Sequence, residues 1–524
     1  MARAHKAVEE QMSTRQWWRR TTASLVVAGL SITGIAAIAG VPEAAAAASG
    51  ATGYPVSDHG DGTYSNPVMF SDVPDVDIAS DGHAYYMIST TMFFAPSVPI
   101  MRSTDLVNWT IAGYTAPIQD DTDALALRNG QNAYSKGTWA ASIKYHNGLF
   151  YISVGSQTTG KTYVYTTPSI ENGPWTRTVL NGYNHDQSLM FDGDNLYMFY
   201  GSGVINVRPL TVNADGTVAY AGAETRLVDS ASIDNGTGLA AEGSHAYKIG
   251  DYYYIFMIEW PSNGIRQEIV WRSTALTPQS AGGVWEGRVV FSQKATVQGQ
   301  AGDGAAQGGV IQTPSGDWYS MLFQDQGPVG RAPQLAKVSW SADGWPQYSL
   351  TATGTIPGTP STTKTDIVTS DEFDNATTPA GYWNSTNEQA LMSTAEDANN
   401  GSNLGLQWQW NHNPDNRYWS LTANPGHLRL TTGALATNLL NARNTLTQRV
   451  FGPTSSGAVA LDVSHMKDGD NAGLAALQEQ YGTVGVTMAN GTKSIVMRGA
   501  DSNGNVTYTS TPVPLTAGTV YLKE

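Results

Sequence analysis

Residues 66–109 read NPVMFSDVPDVDIASDGHAYYMISTTMFFAPSVPIMRSTDLVNW, and the order of residue types in this stretch decides the fold. An acidic segment, VPDVDI, leads through a turn, SDGH, into a strand-like run around Tyr85 and Tyr86. A second run, VPIMRST, follows and closes on a polar turn with a tryptophan, DLVNW. The turn, paired aromatics and strand return four times. YHNGLFYISVG carries Phe150 and Tyr151, and FDGDNLYMFYG carries Tyr197 and Tyr200. KIGDYYYIFMI carries Tyr252 to Tyr254, and TPSGDWYSMLF carries Trp318 and Tyr319. Each is followed by another strand-like run: KTYVYTT, VINVRPL, QEIVWRST and PQLAKVSW. Five units recurring roughly every 45 to 65 residues, each with several short strands, are the pattern of radial β repetition, one small antiparallel sheet per blade. A sandwich with hairpins of similar length is the alternative, and the fivefold motif favours the propeller. No long segment keeps apolar residues at helical spacing. The expected fold class is all-β: a five-bladed β-propeller over residues 50–352, followed by a second β domain.

Composition agrees with this. Charged residues make up 14% of the 524, well below the roughly 25% of ordinary globular chains, while glycine (55), tyrosine (25) and tryptophan (15) are plentiful, as many turns and packed sheets require. The formal net charge is −15. Residues 1–49 hold Arg3, Lys6, Arg15, Arg19 and Arg20 against Glu9, Glu10 and Glu43, a net +2, so the remainder carries −17. Such a surface repels phosphate backbones and argues against nucleic acid as a partner. There is no cysteine, so disulfides, thiolate nucleophiles and cysteine-bound zinc are excluded.

Residues 1–49 read as an export signal: Arg19-Arg20, an apolar run from Ala23 to Val41, then Pro42 and the small-residue tract Ala44–Ala48. The chain is expected to be secreted and free of the membrane after cleavage, by general secretion or by the twin-arginine route. Residues 353–369 are rich in Thr, Gly and Pro and read as a linker. Alternating runs such as HLRLTTG and GAVALDVSHM then predict a β-sandwich over residues 370–524. Its last strand-like run stands at the end of the chain, and the sandwich is expected to be incomplete.

The chemistry falls to carboxylates, because GxSxG, HExxH and phosphate-loop motifs are absent and the nine histidines show no metal spacing. Asp75 in VPDVDI, Asp186 in NHDQSLMF and Glu242 in AAEGSHAYKI occupy the same place in their blades, on or beside the first strand. Innermost strands converge on a propeller axis, so three distant acids would meet in one pocket. Like charges gathered there cannot all ionise, and one protonated and one ionised carboxyl is the requirement for glycosidic hydrolysis. Taken singly, each acid has a plainer reading: Asp72, Asp75 and Asp77 as cation ligands, Asp186 as a turn cap, Glu242 as an arginine partner.

These motifs resemble glycoside hydrolase family 43. NPVMFSDVPDVDI, YYMISTTM and VPIMRSTDLVNW are similar to its opening, and the likeness continues through GTWAASIKYHNGLFY, HDQSLMFDGDNLYMFYGSG, AEGSHAYKIGDYYYIF and QGGVIQTPSGDWYSMLFQDQGPVGR, over most of Tyr54 to Leu350. The second domain, with LGLQWQWNHNPDNRYWSL and ARNTLTQRVFGP, is similar to the concanavalin-like sandwich that many xylosidases and arabinofuranosidases of the family carry. The resemblance implies single-step, inverting hydrolysis with Asp75 as general base, Glu242 as general acid and Asp186 raising and orienting that acid. It implies that Arg331 points into the pocket, to hold the base ionised or bond a sugar hydroxyl, with a blade-to-blade salt bridge as the alternative. Trp139, Phe93 and Trp260 are candidate sugar platforms. The usual prolines are replaced by Val76 and Gln187, and WAP becomes Trp139-Ala140-Ala141. Many relatives carry an axial histidine, often beside calcium, where this chain has Gln307-Gly308-Gly309, so no metal and no cofactor are expected. The expected activity is exo-cleavage of terminal α-L-arabinofuranosyl or β-D-xylosyl residues of hemicellulose such as arabinoxylan. The TTMFF and FQDQGPVGR segments lean the reading toward arabinofuranoside. A non-catalytic carbohydrate-binding propeller and an endo-arabinanase are the alternatives, with a sialidase far behind for want of an arginine cluster.

Overall fold

A computed structural model describes residues 54–524 apart from 235–236, 263–264, 294–295, 298–299, 302–303, 366 and 375–390. The segment read as an export signal lies outside the described residues. Five antiparallel sheets follow one another along the chain, each with its strands in sequence order from the axis outward. The first blade is Asp77–Ser80, Tyr85–Ile88, Ser97–Ser103 and Thr110–Ala116. The second is Thr138–His146, Leu149–Ser156, Lys161–Thr167 and Thr176–Asn181. The third is Ser188–Asp192, Asn195–Tyr200 and Ile205–Val212, whose outer edge is shared by Val218–Tyr220 and Thr225–Val228. The fourth is Thr237–Ile249, Tyr252–Pro261, Gln267–Ser273 and Glu286–Phe291. The fifth is Val310–Gln312, Trp318–Asp325, Arg331–Trp340 and Pro346–Ser349. The repeated aromatics lie on the second strand of every blade, and the turns before them join first strand to second.

The core consists of the layers between blades. Ile88, Ile100 and Tyr114 of the first blade pack on Ile143, Ile152 and Tyr163 of the second. Tyr254, Phe256 and Val270 of the fourth pack on Val310, Val338 and Trp345 of the fifth. Tyr319, Met321 and Leu335 of the fifth close the ring on Val76, Ile78 and Met87. Burying both faces of each small sheet explains why the strands read as nearly continuous apolar runs.

The ring is also fastened outside the blades. Thr63–Ser65 pairs antiparallel with Thr353–Thr355, and the Asn66 amide donates to Leu335 O (3.0 Å) and Thr351 O (2.9 Å). The stretch read as a linker is therefore packed: its first residues form half of this clasp, and Ile356, Thr365 and Ile367 are buried. Beyond it, Asn471–Leu477, Tyr481–Ala489 and Thr492–Ala500 form an antiparallel sheet whose edge is shared by Val506–Thr509 and Val513–Leu515. Ala458–Asp462 pairs with Thr519–Lys523, and the two layers meet on Val463, Val486, Val520 and Leu522. This is a β-sandwich. No helix among the described residues is long and apolar enough to cross a membrane.

Candidate active site

Backbone strain marks the inner ends of the blades. Asp75 and Asp186 each stand two residues before an inner strand, and both are left-handed, with φ of 52° and 47°. Gln307 holds a similar place in the fifth blade, with φ of 57°. The second and fourth blades use bulges instead, between Trp139 and Ser142 and between Glu242 and His245. The first of these bulges spans the Ala140-Ala141 departure. Non-glycine residues tolerate the left-handed region at a cost, and bulges re-aim side chains, so such features gather at working sites.

Asp75 is held at both oxygens. Thr90 donates to Oδ2 at 2.7 Å, and the Arg331 guanidinium pairs with Oδ1. Arg331 stands at the start of the third strand of the fifth blade, so this contact is both a blade-to-blade salt bridge and a fixed positive charge beside Asp75. Its backbone N–H donates to Asp72 at 2.7 Å, its guanidinium lies over the Phe323 ring, and Asp325 sits 3.6 Å from its Nε. Asp325 also pairs with Arg266, whose guanidinium covers the ring of Trp260 at 4.5 Å. Trp260 is thus joined to Asp75 through Arg266, Asp325 and Arg331.

Glu242 and Asp186 meet around a residue that sequence reasoning passed over. His185 Nε2 lies 3.0 Å from Glu242 Oε2 and 3.7 Å from Asp186 Oδ2. The Tyr183 hydroxyl is 2.8 Å from its Nδ1, and the ring of Trp139 lies 5.8 Å away. Gly243 N–H donates to Asp186 Oδ2 at 3.1 Å, which fixes that carboxyl beside the residue after Glu242. Burial, together with the charges of Glu242 and Asp75, pushes Asp186 up to about 7 against the pull of His185. Burial would lower the imidazole, but Asp186, Glu242 and Asp75 outweigh it and push His185 up to about 9. Burial likewise works against ionised Glu242, but the hydrogen bond and charge of His185, with Ser202 and Arg331, hold it below the usual carboxylate range. The three predicted acids therefore share one electrostatic field, in which Asp186 is raised and Glu242 is lowered.

The ligand atoms of His185, Asp186 and Glu242 lie within 4.8 Å of one another. The imidazole is hydrogen-bonded directly to the Glu242 carboxylate. The axial position where relatives carry calcium does not fit a metal here. Asp77 Oδ2 is met by Lys144 Nζ at 3.3 Å and Ile143 N–H at 2.8 Å, and Oδ1 by His245 Nδ1 at 3.1 Å. A side chain at Gly309 would run into Tyr247 Oη at 2.1 Å and Asp77 Oδ1 at 2.8 Å. The chain's own ammonium already supplies the positive charge.

Phe93 meets side chains of the C-terminal domain and of the loop before the second blade. Its ring stacks on His412 (4.7 Å, 20°) and meets Tyr134 edge-on (4.8 Å), and Trp410 and Asn411 pair with Ala95 and Phe94. His412, within the C-terminal domain, covers one of its faces. A cavity of about 530 Å³ lined by Thr110, Lys364, Thr365, Leu406 and Gln407 lies elsewhere and contains none of the carboxylates.

A propeller with strained acids at its inner strand ends defines a class of hydrolase, and the comparisons with known proteins agree. Residues 64–346 match the profile described as Glycosyl hydrolases family 43, and residues 396–524 match that of the Beta xylosidase C-terminal Concanavalin A-like domain. The chain belongs to glycoside hydrolase family 43. It is 31% identical over 486 residues to a beta-xylosidase of Formosa agariphila, covering 82% of this chain and 75% of that one. It is 29% identical to a non-reducing end alpha-L-arabinofuranosidase of Bacteroides ovatus, covering 70% and 65%. Among solved structures, a bifunctional GH43-CE protein of Bacteroides eggerthii superposes with a TM-score of 0.75 at 40% identity over 88% of this chain. This chain spans 55% of that protein's length.

Proposed function

We propose that this chain is an exported, exo-acting, inverting glycosidase that removes terminal pentosyl residues, α-L-arabinofuranosyl or β-D-xylosyl, from hemicellulose. The observation that carries it is the division of labour between two charge sets: Asp75 fixed by Thr90 and Arg331, and Glu242 grouped with Asp186 and His185. Asp75 takes a proton from the attacking water. Glu242 gives one to the leaving oxygen. Asp186 tunes and orients Glu242. Arg331 places its charge where the base must stay oriented, and Trp139, beside His185, supplies an apolar wall. In an inverting pair the carboxyls stand roughly 6.5–9.5 Å apart to admit the water, which suits acids from non-adjacent blades. The Ala-rich leader supports export.

The two segments that leaned toward arabinofuranoside are used in building the site: Thr90 and Phe93 come from one, Asp325 and Arg331 from the other. They do not separate the two sugars. Names of similar proteins divide likewise between xylosidase and arabinofuranosidase. The test is release of sugar from wheat arabinoxylan and from xylooligosaccharides side by side, with the product anomer followed by NMR. Arabinose or xylose released singly with inversion supports the reading and assigns the sugar. Retention, or oligosaccharide products, would contradict it. Glu242→Gln should lower the rate about 10²–10⁴-fold, the usual worth of a positioned general acid. Unchanged release by that variant would remove Glu242 from its role.

A further inference from the structure

The mechanism above uses Asp75, Glu242 and Asp186, and leaves His185 without a task. We infer that His185 is the proton store of the general acid: its Nε2–H supplies, through Glu242, the proton that reaches the leaving oxygen. This inference rests on the inverting-glycosidase reading. The geometry is a short line of groups. Tyr183 Oη, His185 and Glu242 are joined by contacts of 2.8 and 3.0 Å, from the loop before the third blade to the inner strand of the fourth. The titratable and charged groups facing the imidazole are few. Asp186 and Tyr183 belong to its own loop, Glu242 to the fourth blade and Asp75 to the first, with Arg331 of the fifth blade acting through the two acids. Trp139 of the second blade supplies an uncharged wall.

In the resting site the pair holds one catalytic proton, on the imidazole. Transfer breaks the Nε2–H bond and forms an O–H bond on Glu242, leaving a neutral histidine and a neutral acid. Glu242 then passes this proton to the glycosidic oxygen as the bond to the sugar breaks, while Asp75 takes one from the attacking water. Resetting returns one proton from solvent to His185 and releases one from Asp75, so a single water is consumed. His185 does not touch the sugar and acts only through Glu242.

Substituting glutamine keeps a hydrogen-bond donor toward Glu242 and removes the proton store. The alkaline limb of kcat/KM reports groups of the free enzyme. In the wild type it belongs to the His185–Glu242 pair and lies near pH 9, the value of His185. In His185→Gln it should move down, because the acid's proton must then rest on a carboxyl and no longer on an imidazole. Turnover of an unactivated xylo- or arabino-oligosaccharide should fall about 10²-fold, and that of a dinitrophenyl pentoside, whose leaving group needs no proton, only a few-fold. An equal loss on both substrates with the alkaline limb unmoved would overturn the inference and leave His185 a packing residue. Direct titration of ¹⁵N-histidine by NMR in wild type and Glu242→Gln keeps the test decisive should His185→Gln fold poorly. A neutral His185 at pH 7 in the wild type overturns the proposal, and a protonated one that loses its proton earlier in Glu242→Gln supports it. Absence of any wild-type pentosidase activity would instead refute the underlying reading, which the NMR titration does not depend on.

Discussion

Asp77 and Asp186 are both buried carboxyls beside inner strands, and they differ in the cations around them. Asp77 has an ammonium, an imidazole and two backbone N–H groups within 3.3 Å. Burial alone would raise it, yet Lys144 and His245 overrule burial and hold it well below the usual carboxylate range. Asp186 has one imidazole, shared with Glu242, and two other acids in its field, and it rises to about 7. Burial is common to both. The count of compensating charges decides which acid stays ionised, as structure requires, and which stays poised, as catalysis requires.

Removing Lys144 should break this contrast most severely. Lys144→Met leaves Asp77 buried with a charge it can no longer balance, a loss of about 3–5 kcal/mol. A carboxyl whose folded pKa lies below its unfolded one stabilises the fold above the unfolded value, and that stabilisation is lost as pH falls. In the variant burial is less opposed and Asp77 rises, so the deficit against wild type should be largest near neutral pH and shrink as pH falls, read by thermal melting across pH 3–7. Adding Asp77→Asn to Lys144→Met should recover part of the loss. If the two losses simply add, Lys144 and Asp77 are not paired in energy.

The opposite sign is expected at Asp186. Its folded pKa lies above its unfolded one, so the folded state binds the proton more tightly. Stability is then greatest below about pH 4 and falls as pH rises toward 7. Asp186→Asn cannot ionise. It should match the wild type in melting temperature near pH 4 and exceed it at pH 7, by on the order of 2 kcal/mol, while losing activity. A variant less stable than wild type at pH 7 would mean that Asp186 is a compensated structural acid like Asp77.

The same physics explains what the sequence made legible. The repeat of turn, paired aromatics and strand is local, so it reported the blades and the second-strand position of Tyr85, Phe150, Tyr197, Tyr252 and Trp318. Position within the repeat singled out Asp75, Asp186 and Glu242 and brought them to one place. His185 was illegible because its partner Glu242 lies 57 residues away and a lone histidine beside an aspartate shows no metal spacing. The Thr-rich stretch after Leu350 hid a strand, since half of the clasp is supplied by Thr63–Ser65, far off in the chain. Phe93 read as a sugar platform because an aromatic after an inner strand looks alike whether a sugar or His412 covers it.

That last contact gives the smallest expected effect. His412 is buried in the C-terminal domain. Its Nε2 accepts the Ala133 N–H at 3.0 Å, and its Nδ1–H donates to Asn411 at 2.9 Å. The Ala133 contact needs a neutral ring, and burial lowers its pKa to about 3. Its contribution is therefore complete above the unfolded value near 6.5 and is lost as pH falls toward 3. His412→Ala removes the stack on Phe93 and leaves the Ala133 N–H without an acceptor, about 1–3 kcal/mol. Its melting temperature should fall at pH 7, and its deficit against wild type should shrink between pH 6 and 4, because the unfolded wild type binds a proton there that the folded ring does not. A deficit that stays constant with pH would show that the ring is held by packing alone. Such a ring would owe nothing to charge, unlike Asp77 and Asp186.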